Sequence, residues 1–341
     1  MTDFEKVCDY NNLYAAYKKA RKGRRGKASV AKFEANLLEA LHYLNITLAT
    51  KTYRMSEYIS FEVFEPKRRV VMSAAFKDKV VHHALCDNVF DCRMSKAFIY
   101  DNYAAQIGKG THFGLDRLSG FMQRFYRLNG ADGWVLKCDV AKYFYTIQHD
   151  ALKEIVRKYV TDPGALWLSD LIIDTTENPG IPIGNQTSQW YANIYLNDLD
   201  HFIKEKLGIK YYGRYMDDFY LIHESKEYLR HCRGEIEKHI SALGLAFNSK
   251  TALFPLKNGI DFLGFHCYLT ETGKVIRKVR RKSKNNARRR LKKMKGLLDK
   301  EIVTKEDIQT SYQSWKAHAK KGNTYHLVRN MDAYFNNLFK E

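Results

Sequence analysis

The chain has 341 residues, 45% of them hydrophobic and 13% aromatic, which excludes a disordered chain and leaves room for two or three structural lobes. Its net charge is +19, from 57 Lys and Arg against 38 Asp and Glu, a balance that suits a polyanionic partner such as nucleic acid. Six scattered cysteines without C-x-x-C spacing or clustered His partners indicate neither a zinc site nor a disulfide framework; the lack of a signal pattern or an apolar run of about 18 residues predicts a cytoplasmic, reducing location without membrane contact.

Helical periodicity opens the chain. Leu13, Tyr14 and Tyr17, then Phe33, Leu37, Leu38, Leu41 and Leu44, predict two amphipathic helices around the basic break Arg21-Lys22-Gly23-Arg24-Arg25-Gly26-Lys27. Alternation in Ile59-Ser60-Phe61-Glu62-Val63-Phe64 and in Arg69-Val70-Val71-Met72 predicts two strands joined by Glu65-Pro66-Lys67-Arg68. Helices are expected at 76–92, 112–128, 150–160, 164–174, 187–206 and 226–243, with strands at 134–140 and 211–222, an α+β middle. After the β-rich segment Asp261-Phe262-Leu263-Gly264-Phe265-His266-Cys267-Tyr268, the remainder reads as helical.

That remainder is strongly basic. Residues 274–295 hold thirteen Lys and Arg and no acid, about two thirds of the whole imbalance. Within 284–298, Ala287, Leu291, Met294, Leu297 and Leu298 share one helical face, while Lys284, Arg288, Arg289, Arg290, Lys292, Lys293 and Lys295 cover much of the rest. One side can pack on a neighbour and the other can track a phosphate backbone, with affinity falling steeply in salt. A solvated basic helix or a sorting signal is the plainer alternative.

The densest chemical signal is Tyr215-Met216-Asp217-Asp218. Two β-rich runs flank it, so the acids sit at a hairpin tip, and a third run from Trp134 to Val140 carries the lone Asp139. Three carboxylates brought to one sheet edge would hold a pair of hard divalent cations, as nucleotidyl transfer requires. Taken alone, the Asp pair reads equally well as a solvated turn.

The order of motifs changes that balance. Pro66-Lys67-Arg68-Arg69, Gly108-Lys109-Gly110-Thr111-His112 and Asp139-Val140-Ala141-Lys142-Tyr143-Phe144 come first. Gly180-Ile181-Pro182-Ile183-Gly184-Asn185-Gln186-Thr187-Ser188-Gln189, Tyr215-Met216-Asp217-Asp218, Gly244-Leu245 with Asn248 and Lys250, and Phe262-Leu263-Gly264 follow. Over roughly residues 55–270 this resembles the successive blocks of a reverse transcriptase.

The resemblance implies an α+β right-hand polymerase of fingers, palm and thumb. An N-terminal helical extension (1–52) would precede fingers with part of the palm (53–138), a catalytic palm with an antiparallel sheet (139–268) and a helical basic thumb (269–341). It implies RNA-templated DNA synthesis on two Mg2+ ions, with Mn2+ as a substitute. Asp139 and Asp217 are the expected bridging ligands; Asp218 supports the site, and the Val140 carbonyl is a further ligand.

Lys67 and Arg69 would close on the triphosphate, the fork of Arg suiting phosphate oxygens. Phe144, five residues after Asp139, is expected against the nucleotide sugar, where it would exclude a 2′-hydroxyl and favour dNTPs; ordinary core packing of Phe144 or Tyr143 is the alternative. Gly184 permits close backbone approach to the nucleotide or template, and Thr187-Ser188-Gln189 opens a helix with polar first-turn amides. Lys250 is the candidate proton donor to pyrophosphate or simply a solvated lysine, and Phe262 to Phe265 either grips the primer end or is a plain core strand.

One block departs from most reverse transcriptases. Where many show Gln-Gly and then Ser-Pro, this chain has Ile183-Gly184 and then Ser188-Gln189. With Gly108-Lys109-Gly110-Thr111-His112, Trp315-Lys316-Ala317-His318-Ala319 and Asn323-Thr324-Tyr325, the pattern looks like the enzymes of diversity-generating retroelements, which copy a template-repeat RNA into mutated cDNA, erring mainly opposite adenine. An aliphatic group at 183 removes a hydrogen bond to the incoming nucleotide, and a lost polar contact lowers discrimination, so low fidelity is expected. The partners implied are template RNA, the cDNA or primer, dNTPs and a small accessory protein that could be oligomeric, since neither an endonuclease-like His/Asn cluster nor an RNase H-like domain is visible. An antiphage-defence or retron-like reverse transcriptase would share this chemistry with another template. A non-catalytic RNA-binding scaffold would not need all three acids.

Overall fold

A computed structural model of the chain describes residues 1–64 and 68–340. Four helices, not two, open it: α1 (Asp3–Cys8), α2 (Tyr10–Ala20), α3 (Ala28–Ala35) and α4 (Leu37–Ala49). The additional breaks have local causes. Thr2 caps α1 in a reciprocal box with Glu5, Asp9 ends α1 and caps α2 through the Asn12 amide, and Asn36 separates α3 from α4. Two strands, β1 (Ile59–Val63) and β2 (Arg69–Ser73), then form an antiparallel arm with Phe61 opposite Val71 and Val63 opposite Arg69. Lys67, expected at the tip of that arm, lies outside the described residues.

The helix expected at 76–92 is α-helical only as α5 (Phe76–Leu85), passing through a π-helical turn at 86–90 into α6 (Asp91–Met94). Next come α7 (Thr111–Asn129), β3 (Trp134–Asp139), α8 (Tyr143–Thr146), α9 (His149–Arg157), α10 (Pro163–Ile173), α11 (Gln186–Tyr195) and α12 (Asn197–His201). Two strands, β4 (Tyr211–Tyr215) and β5 (Asp218–His223), are followed by α13 (Lys226–Ala242) and β6 (Ala252–Pro255). These strands make one antiparallel sheet in the order β4-β5-β3-β6.

Strand alternation splits the core in two. Leu136, Cys138, Phe219 and Leu221 pack with Leu229, Cys232, Ile236 and Ile240 of α13 on one face. Val135, Tyr220 and Ile222 pack on the other with Leu115, Leu118, Phe121 and Phe125 of α7. Lys137 and Asp139 follow Val135 at the same period, so they belong to this second face.

A second antiparallel sheet, β7 (Ile260–Phe262), β8 (Phe265–Leu269) and β9 (Val275–Val279), covers that face. It corrects two expectations. The β-rich segment 261–268 is a hairpin turning at Leu263 and Gly264, with φ of 47° and 89°, and β9 lies where only helix was expected. Val275, Ile276 and Val279 make that strand, its signal diluted by Arg277 and Lys278. Three helices close the chain, α14 (Arg281–Leu298), α15 (Lys305–Ala319) and α16 (Tyr325–Leu338), around a small core of Leu291, Ile308, Tyr312 and Met331. β3 runs across the expected 138/139 boundary, and the β8–β9 hairpin across 268/269. Among the described residues, no helix is long and apolar enough to cross a membrane.

His82, in α5, is fully enclosed, and among the described residues neither ring nitrogen has a hydrogen-bond partner. Burial, then the neighbouring His83 and Lys79, pull its pKa down from 6.5 to about 3. Between those values the unfolded chain binds a proton that the folded chain refuses, so stability falls as pH drops from about 6.5 toward 3. His82→Leu should flatten the acid limb of a plot of thermal midpoint against pH, and an unchanged limb would place the acid sensitivity elsewhere.

Candidate active site

The β4–β5 turn is Met216-Asp217, with Met216 in the left-handed region at φ 56°. Asp218, the first residue of β5, stands directly opposite Asp139, the last of β3, and side chains of paired residues share a face. The Val140 amide donates to the Asp217 carbonyl at 3.3 Å, stitching the turn to β3. The three acids therefore meet at one end of the central sheet.

Their surroundings differ. Burial raises the Asp217 carboxyl above its ordinary range and Asp139 pushes the same way; its own backbone amide, Lys137 and Arg69 oppose them. Asp218 is ion-paired with Lys137, whose side chain is 14% exposed and whose pKa burial lowers to about 8. Asp139 is braced through its backbone: its amide donates to Thr251 Oγ1 at 3.2 Å, and the Asn248 amide donates to its carbonyl at 2.7 Å. That loop carries Lys250, whose Nζ lies 3.9 Å from Asp139 Oδ2.

Among the described residues, no three His, Cys, Asp or Glu side chains are gathered into a metal cage. Asp218 is engaged by Lys137. What fits a hard divalent pair is the remaining oxygen set: Asp139 and Asp217, with the Val140 carbonyl next along the chain. Burial is the main cause of the raised Asp217 carboxyl, and the nearby Asp139 carboxylate adds a repulsion that a shared cation would relieve.

Around these acids the arm and two loops form a frame. Arg69 begins β2, and its charge reaches Asp217. Gly184 takes φ 119° where a Cβ would lie 3.4 Å from Val71 Cγ1, so the 180–185 loop runs against the arm. The Ile181 amide donates to the Phe144 carbonyl (2.8 Å), Asn185 donates to the Tyr58 hydroxyl (2.8 Å), and the Tyr145 hydroxyl donates to the Val70 carbonyl (3.2 Å). Ile183 is half-buried in that loop, while Gln189 is exposed on α11. Tyr143 and Phe144 separate clearly: Tyr143 is buried with its hydroxyl bonded to the Ala192 carbonyl at 2.5 Å, and Phe144 stands edge-on to it, half-exposed.

A cleft of about 1030 Å³ joins Asp139 and Asp218 to the C-terminal helices. Lys137, Asp139, Asp218 and Lys250 line it together with Gly264, Arg280, Lys282, Asn286, Arg290 and Trp315. The expected grip segment reaches it through the 263–264 turn, while Phe262 is core.

Two features escaped the sequence reading. Lys137 left a faint trace, a lysine on the same side of β3 as Asp139. The fully buried Arg214–Asp200 pair left none, because its partners lie on different elements.

The family model described as reverse transcriptase (RNA-dependent DNA polymerase) matches residues 65–267. Protein YkfC of Escherichia coli K12 is 28% identical, covering 38% of this chain and 46% of that protein. A putative COX1/OXI3 intron 2 protein of Saccharomyces cerevisiae is 26% identical, covering 59% of this chain and 24% of that protein. The chain thus spans less than half the length of these curated relatives. Among solved structures, apo telomerase from Candida tropicalis superposes with a TM-score of 0.51 at 14% identity, over 84% of this chain and 60% of that one. Telomerase from Candida albicans, solved with a fragment of telomeric RNA, gives 0.52 at 13% identity, over 85% and 56%. At such identities the likeness speaks for the fold, a right-hand polymerase with antiparallel sheets.

Proposed function

The chain belongs to the reverse transcriptase family, and on that premise we propose that it is an RNA-templated DNA polymerase making error-prone cDNA from the template-repeat RNA of a diversity-generating retroelement. The observation that carries the catalytic part is Asp139 facing Asp218 across one strand pair, with Asp217 in the adjoining turn. In this reading fingers occupy 53–138 with part of the palm, the palm 139–268 and the thumb 269–341, after the helical extension 1–52.

Asp139 and Asp217 hold the cations, with the Val140 carbonyl as an added ligand. A bound Mg2+ pair, or Mn2+ in its place, supplies a lowered pKa at the primer 3′-hydroxyl and charge neutralisation at the leaving pyrophosphate. Arg69 clamps triphosphate oxygens from the arm, and Lys67 is assigned the same role on its sequence position. Lys250 stands beside Asp139 to hand a proton to the departing pyrophosphate. The half-exposed ring of Phe144 excludes a 2′-hydroxyl and so selects dNTPs, while Gly184 lets the backbone approach the base pair. Basic α14 follows the primer-template backbone, and a small accessory protein completes the assembly.

Ile183 beside Gly184 supports the subtype, because an aliphatic side chain offers the incoming nucleotide no hydrogen bond. Mg2+-dependent extension of a DNA primer on RNA tests the activity, and sequencing the product tests the subtype. One hydrogen bond is worth about 1 kcal/mol, so Ile183→Gln should lower misincorporation opposite adenine roughly fivefold. An unchanged error spectrum removes Ile183 from the mechanism.

A further inference from the structure

The site carries a cation of its own. Lys137 lies two residues before Asp139 on the same side of β3, and its ammonium is ion-paired with Asp218. It is not a surface lysine that happened to fold inward. Its Nζ sits 5.2 Å from the centre of the Phe262 ring and 3.5 Å from the Phe219 carbonyl, so β5 and β7 hold it in place apart from Asp218. Its side chain is 14% exposed, and that exposed part faces the cleft beside Asp139 and Asp218.

Charge and coordination explain what such a lysine does. Three carboxylates carry three negative charges, and if all three turned inward they would bind a divalent cation tightly while filling positions that triphosphate oxygens need. From this geometry we infer that Lys137 is a built-in counter-ion that holds Asp218 out of the cation-binding set, leaving Asp139 and Asp217 to bind metal loosely and in open coordination. Lys137 is thus a positioning residue that acts through Asp218. The inference rests on the metal-dependent reading above, but its consequence runs opposite to ordinary damage. Removing Lys137 tightens cation binding and slows synthesis.

The test titrates Mn2+, by the loss of its free paramagnetic signal, into the wild-type chain and the Lys137→Met, Lys137→Arg, Lys137→Met/Asp218→Asn and Asp139→Asn variants, without nucleotide or nucleic acid. Deleting a unit charge beside a divalent-cation site that is partly solvated should tighten Mn2+ binding at least about tenfold in Lys137→Met. Lys137→Arg keeps the charge and should stay within about twofold of wild type. The double variant removes one charge of each sign and should return to near the wild-type affinity. Primer extension by Lys137→Met should fall at least about tenfold despite the tighter binding. Thermal melts check folding, and Lys137→Gln repeats the titration should Lys137→Met not fold. Equal or weaker Mn2+ binding in the neutral variant overturns the inference, because a merely structural lysine would leave a loosened site. Wild-type protein with no Mn2+ binding sensitive to Asp139→Asn overturns the metal reading itself and this inference with it.

Discussion

Asp217→Asn should reduce Mg2+-dependent primer extension at least a thousandfold while leaving the thermal midpoint unchanged or higher. The first half follows from the carboxylate's proposed place as a cation ligand. Several kcal/mol of charge stabilisation vanish with it, and each factor of ten in rate corresponds to about 1.4 kcal/mol. The second half follows from the cost of that charge in the fold. A carboxyl whose pKa is raised on folding draws stability away as pH climbs from its unfolded value through its raised one, so at neutral pH the ionised side chain weakens the fold. Asn keeps the shape and drops the charge. Circular dichroism melts beside extension assays read both halves together. Loss of activity with a lower midpoint would make Asp217 an ordinary structural residue. Equal synthesis by wild type and Asp217→Ala, or none by either, would favour the RNA-binding scaffold.

Local signals carried much of this architecture. The β3 and β4–β5 runs were legible because aromatic and β-branched residues stand out against turn chemistry, and the acids at their ends were legible because carboxylates rarely cluster among such neighbours. The arm from Ile59 to Ser73 was readable from alternation alone, though its strands are largely exposed. What failed to show was whatever depends on partners distant in sequence. Short β6 gains its strand identity only by pairing Leu253 with Leu136 and Phe254 with Val135. β9 is a charged segment until β8 aligns Val275 with Leu269 and Val279 with Phe265. The splitting of the N-terminal helices turned on single capping side chains, which periodicity does not register. Lys137 shows the same limit at the site: its spacing from Asp139 was visible, but its attachment to Asp218 required the register of β3 against β5.

The second large expected effect lies beneath the Met216-Asp217 turn. Arg214 and Asp200 are both fully buried and bonded as a fork, Nε to Oδ1 and Nη2 to Oδ2, each at 2.6 Å. Tyr212 donates its hydroxyl to Asp200 Oδ1 at 2.6 Å and Asn102 donates to Oδ2 at 3.2 Å, so the carboxylate is well satisfied. Arg214 also donates to the Asn193 carbonyl (3.0 Å) and the Met216 carbonyl (3.1 Å). The last contact matters most for chemistry, because Met216 precedes Asp217 and holds its left-handed conformation in this turn. Arg214→Met strands a buried carboxylate and should cost about 3–5 kcal/mol, a large share of the roughly 5–15 kcal/mol a domain possesses. Denaturant unfolding should show this as an earlier midpoint at constant slope. Arg214→Met/Asp200→Leu, which removes both charges, should be more stable than Arg214→Met alone, since the penalty comes from the unpaired ion. Arg214→Lys separates the two duties: the charge stays beside Asp200, but a single ammonium does not reproduce the fork and the bond to Met216 together. Its extension rate should therefore drop further than its stability suggests. If Arg214→Met unfolds within about 1 kcal/mol of wild type, the pair neither braces the fold nor holds the turn.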